Sequence, residues 1–123
     1  MTTTRILIVD DEPIGRLALK TLLAQEGYDL DLACNGQEAI QLAQDKTPDL
    51  VLLDVVLPDI SGFDVCKHLR SHPETAHTPI IMITSLDDRA ALKQGIEAGA
   101  NEITTKPVDF IALRDKVRNL TQI

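Results

Sequence analysis

The chain has 123 residues, is 44% hydrophobic and 25% charged, and carries a formal net charge of −7. This length suits one domain with a core of its own, and the acidic balance speaks against a direct grip on nucleic acid, which needs clustered Lys and Arg. No apolar run approaches the roughly 20 residues of a bilayer span, and MTTTR before a short apolar run lacks a signal-peptide layout, so a cytoplasmic protein without membrane contact is expected.

Strand-like and helix-like segments alternate, the pattern of βαβ units around a parallel sheet. The first strand is predicted at Arg5–Val9 and runs into Asp10 and Asp11. A helix then starts around Asp11 to Pro13, with a carboxylate at its N-terminus and Pro in its first turn, and Ile14, Ala18 and Leu22 form its apolar stripe. Gly27 suits its stop. The second strand covers Asp29–Ala33 and the third covers Leu50–Leu53, which ends at Asp54. A third helix closes near His72, because Pro73 disfavours helical geometry before it. The fourth strand is Ile80–Thr84 and the fifth is Glu102–Thr105, followed by Lys106 and Pro107. In the last helix Phe110, Leu113, Val117 and Leu120 make one stripe facing the sheet.

Strand composition suggests strand order. ILIV, LVLL and IIMI are continuously apolar, as in strands covered on both faces, whereas DLDLA alternates and EITT is half polar, as at edges. With right-handed crossovers this leaves 2-1-3-4-5, a flavodoxin-like doubly wound α/β fold with five parallel strands and five helices.

In such a sheet the residues just past the strands' carboxyl ends share one crevice, so Asp10, Asp11, Asp54, Thr84 and Lys106 converge. Two unit charges at about 4 Å repel by about 4 kcal/mol at an effective dielectric of 20, so three carboxylates need compensation. Mg²⁺ supplies it with oxygen ligands, accepting one or two protein carboxylates and keeping room for water and a phosphoryl oxygen. Cys34 and Cys66 form no C-x-x-C pattern and read as small buried or half-buried apolar residues. His68, His72 and His77 cluster in sequence, but no Cys or acidic residue completes a tetrahedral zinc set with them.

ILIVDDEP, LVLLDVVLPDISGFD, IIMITS and TTKP, in this order and spacing, resemble the receiver domain of bacterial two-component response regulators over nearly the whole chain. The resemblance implies that residues 1–123 are one receiver domain, standing alone or cut from a longer regulator. It implies a signalling phosphoacceptor rather than an enzyme in the ordinary sense. Asp54 would take a phosphoryl group from the phosphohistidine of a sensor histidine kinase or phosphotransfer protein. Asp11 would bind Mg²⁺ directly, Asp10 directly or through water, and the Val56 carbonyl would be a further ligand. Lys106 would pair with the phosphoryl group and Thr84 would donate its hydroxyl. The resemblance further implies a cis Lys106–Pro107 peptide, a small Ser85 leaving the phosphoryl group open to water, and a Thr84 switch movement that drags the loop before the fourth helix. Ile103 stands where receivers often carry a switching Tyr or Phe, and a β-branched aliphatic has no hydroxyl and fewer side-chain states.

FDVCKHLRSHPETAHTPIIMITSLDDR and EAGANEITTKPVD are most similar to receivers that precede cyclic-dinucleotide synthesising or degrading domains. An output domain or downstream protein is the implied partner, and the fourth helix, fifth strand and fifth helix form the family's usual homodimer or output face. A haloacid-dehalogenase-like phosphohydrolase would need an Asp where Val56 stands. A flavin or nucleotide carrier would need a Gly-rich loop after the first strand, where DDEP stands instead.

Overall fold

The computed structural model describes residues 3–85 and 89–122. Among them, strands β1 (Arg5–Val9), β2 (Asp29–Ala33), β3 (Leu50–Asp54), β4 (Ile80–Thr84) and β5 (Glu102–Thr105) alternate with helices α1 (Pro13–Ala24), α2 (Gly36–Asp45), α3 (Gly62–Arg70), α4 (Arg89–Ala98) and α5 (Phe110–Thr121). All pairings are parallel and the order is β2-β1-β3-β4-β5, as the apolar pattern of the strands predicts.

Side chains alternate across a strand, so each apolar strand feeds two cores. Leu7, Val9, Val51, Leu53, Ile80 and Met82 face Ala39, Ala43, Phe63, Cys66, Leu69 and Ala98 from α2, α3 and α4. Ile6, Ile8, Leu50, Leu52, Ile81 and Ile83 face Leu19, Leu23, Leu113 and Val117 from α1 and α5. Each such side chain contributes about 1.5–3 kcal/mol when fully buried, so the three central strands anchor the fold. The edge strands β2 and β5 keep half-buried or exposed positions.

The structure corrects three expectations. In α1 the buried pair is Leu19 and Leu23, while Ile14 is 82% exposed. A strict four-residue spacing drifts around a helix of 3.6 residues per turn, and at Ile14 it has left the sheet-facing side. In α5, Leu113 and Val117 are buried, but Phe110 is 43% exposed because it opens the helix at the rim of the sheet. Cys66 is buried as expected; Cys34 is exposed, since β2 has ended at Ala33 and Cys34 lies in the turn before Asn35 caps α2.

Helix starts follow local chemistry. Asn35, Ser61 and Asp109 each accept a hydrogen bond from a first-turn N–H of α2, α3 and α5. α1 has Glu12 at its cap position with no side-chain cap bond and Pro13 as its first residue. Gly27, at φ 83°, makes the left-handed turn after α1 that the sequence suggests.

At the end of the sheet where β4 and β5 begin, Arg70 ties three segments together. Its guanidinium donates to the carbonyls of Thr75, Thr78 and Gly99 and to Asn101 Oδ1, at 2.7–3.0 Å. His68 and His72 stack nearby with ring centroids 4.5 Å apart, and among the described residues they join no three-ligand metal cluster.

Candidate functional site

At the opposite end, where the strands finish, the sheet order sets the ends of β1 and β3 side by side. Asp10 follows β1, is 4% exposed, and donates its N–H to Ala33 O at 3.0 Å. Its Oδ1 accepts from Glu12 N at 2.9 Å, a local turn that fixes the backbone just before α1. Arg16 Nη1 reaches back to Asp10 O at 2.7 Å. Asp11 is exposed beside it.

Asp54 is the last residue of β3 and is 5% exposed. Its Oδ1 accepts from Val56 N at 3.2 Å and its Oδ2 from Lys106 Nζ at 2.8 Å. The Val56 side chain is 57% exposed. Lys106 arrives from the end of β5, where its N–H bonds Thr84 O at 2.8 Å, and its peptide to Pro107 is cis. Thr84 is buried at the end of β4 and Ser85 after it is exposed. The loop before α4 lies partly outside the described residues, at 86–88.

Oxygens of Asp10, Asp11 and Asp54 all lie within 4.8 Å of one another. Burial pushes the Asp10 carboxyl above its ordinary range, and the charges of Asp54 and Asp11 push the same way against the Glu12 N–H and Lys106. Burial would lower the Lys106 ammonium, but its bond to Asp54 and the charges of Asp54, Asp10 and Glu12 raise it above the ordinary lysine value. One ammonium against three clustered carboxylates leaves negative charge in excess. A hard divalent cation with oxygen ligands fits this donor set, and Mg²⁺ is such an ion.

Ile103 lies apart from this group. It is half-buried in β5 and packs on α4, where a β-carbon added to Gly95 would meet Ile103 Cδ1 at 2.6 Å.

Sequence reasoning missed three neighbours of the site. Gly15 lies against Asp10, and a β-carbon there would meet Asp10 Oδ2 at 2.6 Å. Its signal was a glycine inside a helix, which costs about 1 kcal/mol relative to Ala and so asks for a reason. Arg16 and Asp59 carried no comparable signal; their partners are backbone groups that only the fold brings near.

A family model described as "Response regulator receiver domain" matches residues 6–118. The response regulator PleD of Caulobacter vibrioides is 41% identical over 120 residues, which are 98% of this chain and 26% of that protein. The chain therefore spans about a quarter of that relative's length. Among solved structures, a putative response regulator from Chloroflexus aurantiacus is 38% identical with a TM-score of 0.92, covering 98% of each chain. The chemotaxis protein CheY4 of Vibrio cholerae is 28% identical with a TM-score of 0.91, covering 97% of this chain and 99% of that one.

Proposed function

Since the chain belongs to the response regulator receiver family of two-component signalling, we propose that it accepts a phosphoryl group on Asp54 from a phosphohistidine of a sensor histidine kinase or phosphotransfer protein. The observation that carries this reading is the Asp54 carboxylate, buried at a strand end yet held by Lys106 Nζ at 2.8 Å in a crevice with two further carboxylates. A buried structural aspartate would gain nothing from like-charged neighbours, whereas a carboxylate nucleophile beside a cation site is suited to phosphoryl transfer.

In the transfer, an Asp54 oxygen forms a bond to phosphorus as the phosphorus–nitrogen bond breaks and the donor imidazole leaves with that electron pair. Asp10, Asp11, Asp54 and the Val56 carbonyl are the proposed holders of Mg²⁺. Bound there, Mg²⁺ neutralises charge spread over the transferring phosphoryl oxygens. Lys106, already directed at Asp54, offers a compact ammonium to the same oxygens. Thr84, at the neighbouring strand end, offers its hydroxyl. Ser85 leaves the bound group open to water.

The output of this step is a change in binding to an output domain or downstream protein. The face of α4, β5 and α5 is the proposed site for that contact or for a homodimer, with Leu92 and Ile96 exposed on α4 and Ile103 beneath. The family assignment favours a signalling domain over a turnover enzyme. We place the whole chain in one receiver domain, acting in the cytoplasm. Among the described residues no helix is long and apolar enough to cross a membrane.

The test is intact-mass spectrometry after incubation with acetyl phosphate, with and without Mg²⁺, on wild type and Asp54→Asn. A Mg²⁺-dependent adduct on wild type that is absent from Asp54→Asn is expected. An adduct that forms without Mg²⁺ or persists in Asp54→Asn overturns the assignment.

A further inference from the structure

The segment between β3 and α3 carries both Asp54's neighbour Val56 and the turn into the next helix, and it is fastened at two points. Its exit is pressed onto its entry: Gly62 N donates to Val55 O at 2.7 Å, and a β-carbon on Gly62 would collide with Asp54 O and lie 2.8 Å from Val55 Cα. Its tip is fastened to a different element. Asp59 Oδ1 accepts from Gly36 N at 2.7 Å and Oδ2 from Gln37 N at 2.8 Å, both in the first turn of α2. Beside this contact the Ile60 side chain lies against Gly36, where no β-carbon would fit.

α2 already has its own cap, because Asn35 Oδ1 accepts from Glu38 N at 2.8 Å. Asp59 therefore adds something other than a helix start. It joins the loop after the acceptor to the helix after β2, and Ala33 at the end of β2 in turn holds Asp10 through its carbonyl. Charge-assisted bonds to helix N-terminal amides are among the stronger hydrogen bonds of proteins. Asp59 is exposed, and although some desolvation works against its charge, the N–H groups of Gln37, Gly36 and Ile60 outweigh it and hold the carboxyl below its ordinary value.

We infer that Asp59 is a positioning residue for the cation and phosphoryl site: by clamping the β3–α3 loop to α2 it fixes the Val56 carbonyl relative to Asp54 and Asp10. This rests on the proposed role of Asp54 and its Mg²⁺ site. Partners outside a metal's direct ligands typically alter its affinity by about 10- to 100-fold when removed, because they orient the ligands.

The experiment titrates Mg²⁺ by calorimetry and follows acetyl-phosphate-driven mass increase against Mg²⁺ concentration, for wild type, Asp59→Ala and Asp59→Asn, with a thermal melt of each. Asp59→Ala is expected to raise the half-saturating Mg²⁺ concentration by about tenfold while the rate at saturating Mg²⁺ stays near wild type. Asp59→Asn keeps a carbonyl acceptor for one of the two amides and is expected to lie between them. An Asp59→Ala protein with the wild-type half-saturation overturns the inference, whatever its melting temperature. Loss of maximal rate at unchanged half-saturation overturns it as well. Should Asp59→Ala fail to fold, Asp59→Asn decides: weakened Mg²⁺ binding supports the clamp and wild-type binding rejects it. A wild-type protein that neither binds Mg²⁺ nor gains mass fails the underlying reading instead, before any variant is compared.

Discussion

Gly15 and Asp10 are in contact in a way that only glycine permits: a β-carbon at position 15 would come within 2.6 Å of Asp10 Oδ2. The missing β-carbon in the first turn of α1 thus leaves room for the buried Asp10 carboxylate, an oxygen of which lies within 4.8 Å of one from Asp11 and one from Asp54. Gly15→Ala removes that freedom. The exchange gains about 1 kcal/mol in helix propensity and loses part of this to the displaced carboxylate, so its net effect on stability is small. Mg²⁺ affinity is expected to fall by about tenfold, since a proposed ligand is moved while the fold is kept. Calorimetric titration with Mg²⁺, set beside a thermal melt, separates the two effects.

Asp10→Asn has a divided outcome. The amide still offers an oxygen to Glu12 N, and the variant relieves repulsion with Asp54 and Asp11, so without divalent cation it is expected to be more stable than wild type by roughly 1–2 kcal/mol, a fraction of the Coulomb cost at effective dielectric 20. In wild type, millimolar Mg²⁺ is expected to raise the melting temperature, since on the proposed reading only the native state would hold the ion. In Asp10→Asn that rise shrinks or vanishes. Melting curves in chelator and in Mg²⁺ measure both, and a variant less stable than wild type in chelator contradicts the repulsion argument.

Ile103 and Gly95 form a complementary pair across β5 and α4, with no room for a further methyl group. Gly95→Ala alone is expected to destabilise, as overpacking costs about 1–3 kcal/mol. Ile103→Ala alone costs a similar amount by leaving a hole. The double variant is expected to be more stable than the sum of the two, and a double-mutant cycle by denaturant unfolding reads the coupling. If Ile103→Ala is phosphorylated normally and binds its partner with unchanged affinity, Ile103 has no part in switching.

Acid stability is expected to depend on Glu26 and Arg118, which join the end of α1 to α5. The bond from Arg118 holds the Glu26 carboxyl below its ordinary value. A depressed native pKa means that the unfolded chain takes up the proton first. Its contribution is therefore complete above the ordinary glutamate range and is lost as pH falls through the native value. Glu26→Gln is expected to be less stable than wild type at neutral pH, with the gap closing in acid. Denaturant midpoints across pH test this; a gap that widens as pH falls contradicts it.

The strand order was readable because solvent leaves a mark on each strand: ILIV, LVLL and IIMI are buried throughout, DLDLA and EITT are not. Once the order is known, Asp10, Asp11, Asp54 and Lys106 must meet, and they do. Helix faces were less legible. Ile14 and Phe110 fit an apolar period but are exposed, Ile14 because a four-residue spacing has carried it off the sheet-facing side and Phe110 because it opens its helix at the rim of the sheet. Asp59 and Arg16 were invisible for another reason: they bind main-chain atoms, which every residue possesses and no side-chain pattern announces.

Arg70 gives the molecule a mechanical asymmetry. Its bonds to Thr75, Thr78, Gly99 and Asn101 fasten the base of β4 and β5 with neutral acceptors whose geometry is indifferent to ions. At the rim above, charged groups stand together instead: Lys106 bonds Asp54 at 2.8 Å with Asp10 and Asp11 close by. If the rim takes up a cation or phosphoryl group as proposed, the groups that meet it first are Asp54 and Lys106, at the far end of the sheet from the Arg70 bonds.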